Sequence, residues 1–95
     1  MKVIYKDEEY VVKKVSYSSN DRLALSMEQG GIPAAFPSVN LIDENVDEGW
    51  VFLDEPNMSG IYEALKDAKI VSKTVYWGSS GFNRGKYPLV KYLGE

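Results

Sequence analysis

The sequence predicts an α+β domain: a mostly antiparallel β-sheet of about six to seven strands, with one α-helix over about 58–68 packed on one face. Three observations carry this expectation. Short runs rich in Val, Ile and Tyr fill the first half of the chain, separated by clusters of Gly, Ser, Asn and Asp. One segment changes to helical period, with apolar residues at Met58, Ile61, Tyr62, Leu65 and Ala68. A lone helix cannot cover both faces of a large sheet, which argues against a parallel arrangement. The 95 residues fit a single domain, 1–95, with no room for a second core.

Taken in order, Lys2 to Lys6 and Tyr10 to Tyr17 read as strands around an acidic turn, Asp7-Glu8-Glu9. In the second of them Tyr10, Val12 and Lys14 share one face, and Val11, Lys13 and Val15 the other. Ser18 to Asp21 signals a turn, and Arg22 to Met27 a third strand. Gly30-Gly31 reverses the chain into a fourth, Ile32 to Leu41, whose two prolines suit an edge or a bulge. Asp43 to Gly49 reads as a polar acidic loop, and Trp50 to Leu53 as a short apolar strand stopped by Asp54-Glu55-Pro56. Asn57 is the expected N-cap of the helix, with Ser59 the alternative. Ile70 to Trp77 returns to strand character, Gly78 to Gly81 reads as a loop, and Tyr87 to Leu93 closes the chain as a last strand.

Composition narrows the chemistry. There is no His and no Cys, so disulfides, thiolate metal sites and histidine-based nucleophilic catalysis are excluded within one chain. The missing staples favour a reducing compartment, and the short apolar stretch Val3-Ile4-Tyr5 is unlike a signal peptide. No apolar run approaches a membrane span. A cytoplasmic protein with no membrane association is therefore expected. Net charge is only −3, but it is segregated. Residues 43–68 hold eight acids against Lys66, and residues 69–95 hold five bases against Glu95. Two such segments are expected to lie near each other and partly neutralise.

A series of short motifs then runs along the chain: Arg22-Leu23-Ala24-Leu25, Gly31-Ile32-Pro33 leading to Val39-Asn40-Leu41, Phe52-Leu53-Asp54 with Asn57, Ser80-Gly81-Phe82, and Tyr87-Pro88-Leu89. In this order, over about residues 21–92, they resemble the family of domains of unknown function numbered 4313. The chain departs from that pattern at Pro56-Asn57, where the family has an Asn-Asn pair. The resemblance implies a bacterial, phage or mobile-element source, and it supplies no catalytic residues.

Two constellations stand out. The loop from Gly78 to Lys86 joins flexible glycines to hydroxyls and bases, so Lys73, Ser79, Ser80, Arg84 and Lys86 are candidates for holding a ligand or anion. Tyr76, Trp77, Phe82 and Tyr87 flank it and could stack on a base, or could belong to the core of a β-hairpin. The second constellation, Asp43, Glu44, Asp47 and Glu48, is a candidate acidic interaction surface. It lacks the alternating spacing and central Gly of a calcium loop, so no metal is expected. Asp54 and Asn57 are expected to organise the turn into the helix through side-chain bonds to the backbone. No catalytic residues and no cofactor are expected. The reading is a non-catalytic interaction protein, an accessory factor of a phage or mobile element that binds a host macromolecule, a protein above all, or its own copies. The alternatives are a ligand- or nucleic-acid-binding module using the 78–87 loop, and an acidic mimic of nucleic acid using 43–55. Overall acidity disfavours nucleic acid as a partner.

Overall fold

A computed structural model describes residues 1–79 and 86–94. β1 (Lys2–Tyr5) and β2 (Glu8–Ser16) pair antiparallel, with Tyr5 opposite Glu8. The turn between them is Lys6-Asp7, both at positive φ (50° and 66°), the two-residue geometry whose twist matches a hairpin. Glu8 and Glu9, expected in the turn, thus belong to β2. β3 (Leu23–Gln29) and β4 (Ile32–Ala35) repeat the device, with Gly30 and Gly31 at φ 59° and 81°. These four strands form a sheet in the order β1-β2-β3-β4.

The expected single sheet is instead two sheets of four antiparallel strands each. The run Ile32 to Leu41 breaks at Phe36-Pro37 into β4 and β5 (Ser38–Val39). Buried Pro37 has no N–H for a ladder, while its carbonyl accepts the Asp54 N–H at 2.8 Å, so the chain turns out of the first sheet there. β5 pairs with β6 (Trp50–Leu53), β6 with β8 (Lys86–Lys91), and β8 with β7 (Tyr76–Ser79). The second sheet has the order β5-β6-β8-β7.

Two sheets solve a problem one helix cannot. Val3, Tyr5, Val12, Leu25 and Met27 from the first sheet meet Val51, Leu53 and Val90 from the second. Ile61, Tyr62, Leu65, Ile70 and Val71 close the same core. The opposite face of the second sheet carries a smaller core, Leu41, Phe52 and Tyr87, with Val39, Val46 and Leu89 packed against it. Alternation along β6 explains the division: Val51 and Leu53 face one core, Phe52 the other.

The helix α1 (Ile61–Asp67) is shorter than the spacing predicts. Gly60 sits at φ 87°, outside helical geometry, and so fixes the start. Neither Asn57 nor Ser59 caps it. The Glu55 carboxylate does so from below, accepting the N–H of Gly60 at 2.6 Å and of Tyr62 at 3.0 Å. Asn57 donates instead to the Asp54 carboxylate at 3.1 Å, and the Asp54 carbonyl accepts the N–H of Met58 at 2.8 Å. The pair organises the turn as the sequence suggests, though through each other and the Asp54 carbonyl.

Most of Ile70 to Trp77 is not strand. Val71 makes a lone bridge to Tyr92, and regular pairing begins only at Tyr76. The Ser72 N–H still donates to the Lys91 carbonyl at 2.9 Å, but side chains take over other hydrogen bonds in between. Ser72 Oγ accepts the Lys91 N–H at 2.9 Å, and the Thr74 N–H donates to the Tyr62 hydroxyl at 2.8 Å. Gly78 and Ser79, expected in a loop, lie in β7.

Ser38 joins the two sheets. Its Oγ accepts the buried Leu25 N–H at 3.0 Å and lies 2.9 Å from the Tyr17 hydroxyl. Burial pushes the Tyr17 pKa above its ordinary value of 10.0; the Ser38 bond opposes this, and the Asp54 charge adds to it. The phenolate therefore forms more readily in the unfolded chain. The stabilisation is complete below about pH 10 and drains away as pH rises toward the folded-state value. Urea unfolding should thus weaken more steeply above pH 10 in the native protein than in Tyr17→Phe; superimposable pH profiles would refute the assignment.

Candidate functional site

The acidic loop is held from within. Leu41 is buried and Val46 packs beside it on Phe52 and Tyr87, so this segment drapes over the outer face of the second sheet. The Arg22 guanidinium locks it, donating from Nη1 to the Leu41 carbonyl at 2.9 Å and from Nη2 to the Glu44 carbonyl at 3.0 Å. Glu44 bonds the Tyr76 hydroxyl, and this bond and its charge lift the Tyr76 pKa above the ordinary tyrosine value. Of the four predicted acidic residues, then, Glu44 is used internally. Asp43, Asp47 and Glu48 are exposed.

The other predicted group is only partly brought together. Ser79 on β7 stands in register with Lys86 on β8, both exposed. Lys73 is exposed ahead of β7, at the strand's far end from Ser79, and does not join them. Ser80 and Arg84 lie outside the described residues, as do Gly81, Phe82, Asn83 and Gly85. The flanking aromatics have partners of their own. Tyr87 is buried in the smaller core. Trp77 meets Tyr62 edge-on at 5.8 Å, and Tyr76 meets Phe52 at 6.3 Å. Among the described residues, the two ion pairs are Lys13–Glu28 and Lys66–Glu63. Neither joins the acidic 43–68 segment to the basic 69–95 segment, so the expected neutralisation does not occur by direct pairing among these residues.

Two surface features are left that the sequence did not reveal. The first is the edge of the second sheet at β7, on which no other described strand pairs, and where Val75, just ahead of the strand, and Tyr76 and Trp77 within it are exposed in succession. The Leu89 carbonyl faces this strand, since Thr74 Oγ1 reaches it at 2.8 Å. Antiparallel alternation then places Tyr76 and Gly78 in hydrogen-bonded pairs and turns the backbone N–H and C=O of Trp77 toward the open edge.

The second feature is a cleft of about 550 Å³ lined by residues of both sheets. Its walls are Lys14 to Ser16 of β2, the 20–23 segment, the 46–50 segment and Tyr92. The turn at 46–50 closes with the Trp50 N–H donating to the Asp47 carbonyl at 3.1 Å, and the Tyr92 N–H reaches the Gly49 carbonyl at 2.9 Å. Burial holds the Tyr92 pKa above its ordinary value. The cleft gathers Asp47 and Glu48, which the sequence singles out, with Trp50, Tyr92 and Lys14, which it does not. Those three carry no motif: the pairing of β6 with β8 brings Trp50 near Tyr92, and only the packing of one sheet on the other brings Lys14 beside them. No helix among the described residues is long and apolar enough to cross a membrane. No family model, curated protein or solved structure matches the chain.

Proposed function

We propose that the protein is a non-catalytic interaction protein, an accessory factor of a phage or mobile element, which binds a host protein or its own copies along β7. The setting rests on the order of short motifs between residues 21 and 92. The binding reading rests on one observation: Val75, Tyr76 and Trp77 expose 76%, 48% and 44% of their surface at the start of an edge strand that pairs on one side only among the described residues. Proteins blunt such edges with charge, proline or bulges, because an open edge recruits another strand. The stretch from Val75 to Ser79 has no charge and no proline. A partner strand laid there gains backbone bonds from Trp77 and apolar contact from its neighbours.

Pull-down from a bacterial lysate and sizing by light scattering test this. The native protein should emerge with a captured partner or as a dimer, and the variant Val75→Lys, at a position 76% exposed, alone and monomeric. A native protein that emerges alone and monomeric counts against the reading, as does a variant that retains its partner.

A further inference from the structure

The cleft beside the 46–50 turn carries a charge balance that selects a ligand. Its size falls in the range of small-molecule sites, and its lining is as much polar and charged as apolar, with Trp50, Tyr92, Val15, Leu23 and Val46 beside the charged groups. Asp21, Asp47 and Glu48 all line it, and none takes part in the ion pairs of the described residues. Two cations share the space. Arg22 directs both terminal nitrogens at the carbonyls of Leu41 and Glu44, so its fork is occupied by backbone. Lys14 is exposed and forms no ion pair with these carboxylates. Three carboxylates therefore line the cleft with two cations, an excess of one negative charge, and Arg22 keeps its charge while spending both terminal nitrogens on backbone; Trp50 and Tyr92 stand in the same walls.

We propose that this cleft binds an organic cation, a guanidinium or primary amine on a short apolar stem. Asp47 and Glu48 supply the counter-charges, and Trp50 and Tyr92 the aromatic walls. The chemistry is that of charge-assisted hydrogen bonds reinforced by a cation over an aromatic face. A planar guanidinium uses both at once, because it stacks and forks in the same plane. None of the lining belongs to β7, so this site stands or falls separately from strand addition there.

NMR titration that follows the Trp50 indole N–H and the Glu48 amide decides the matter. The probes are agmatine, a blocked Gly-Arg-Gly peptide, and N-butylurea as the uncharged control, at matched ionic strength. Agmatine or the peptide should give a saturable shift, at least about tenfold weaker with N-butylurea and in Asp47→Asn/Glu48→Gln. Whichever cation saturates at lower concentration identifies the source, a free amine or a side chain of a partner. Both substituted positions are exposed, so the double variant keeps the fold. No saturable shift with either cation, or an undiminished shift in the double variant, overturns the proposal.

Discussion

Replacing Phe52 with Ala should lower the unfolding free energy by about 3–5 kcal/mol, the range for truncating a buried aromatic side chain. Phe52 is 1% exposed and is the most deeply buried member of the smaller core. Little can collapse into the space it leaves. The residues around it are anchored by other duties: Leu41 by Arg22, Tyr76 by Glu44, and Leu89 by β7. A domain of this size has only about 5–15 kcal/mol of net stability, so the loss is a large share of the whole. The melting temperature should fall by at least about 12 °C. Phe52→Leu keeps most of the volume and should cost far less. The same ring explains why position 78 is glycine, since a Cβ there would stand 2.7 Å from Phe52 Cε1. Calorimetry showing a change below about 1 kcal/mol for Phe52→Ala would mean that the smaller core is not a core at all.

The second large effect belongs to Arg22. Arg22→Met keeps the apolar stem and removes two charge-assisted hydrogen bonds, to the carbonyls of Leu41 and Glu44. Urea unfolding should report a loss of about 2–3 kcal/mol, moderated because water can reach part of the exposed loop. Amide exchange gives the sharper readout. The Glu44 N–H, bonded to the Leu41 carbonyl at 3.0 Å, and the Trp50 N–H, bonded to the Asp47 carbonyl at 3.1 Å, should both exchange faster. Arg22→Lys should not restore protection, since one ammonium cannot span two carbonyls as a planar fork does. Unchanged exchange at both amides in Arg22→Met would show that the loop is held by its apolar contacts alone.

Strands and helix were legible in the sequence wherever one physical signal dominated. Alternation located β2 and β3, apolar and β-branched content located β1 and the short run of β6, and the 3.6-residue spacing located α1, because burial writes directly into residue order. What was hidden depends on side chains replacing backbone. Ser72 and Thr74 read as strand residues, yet their hydroxyls and the Tyr62 phenol intercept the hydrogen bonds that a ladder would need. Glu55 reads as a loop acid, but the positive φ of Gly60 aims two amides at it. The division into two sheets turns on Pro37, which signals an irregularity without saying on which side the chain resumes. The candidate sites follow the same rule. The acids at 43–48 were visible as a cluster of charge, while the partition that ties Glu44 to Tyr76 and leaves Asp47 and Glu48 facing the cleft comes from the contact of distant segments.

The corner at Phe36-Pro37 has a consequence for how the chain can be made. Every strand before it belongs to the first sheet and every strand after it to the second. As the chain leaves the ribosome, the meander through Ala35 can pair from neighbouring segments alone, which is the fast kind of contact. Yet the face bearing Val3, Val12, Leu25 and Met27 has nothing to rest against until Val51, Leu53 and finally Val90 have been made. Until then the early half can pair only marginally, with its apolar face wet and open to capture. The last strand synthesised is the one that dries it.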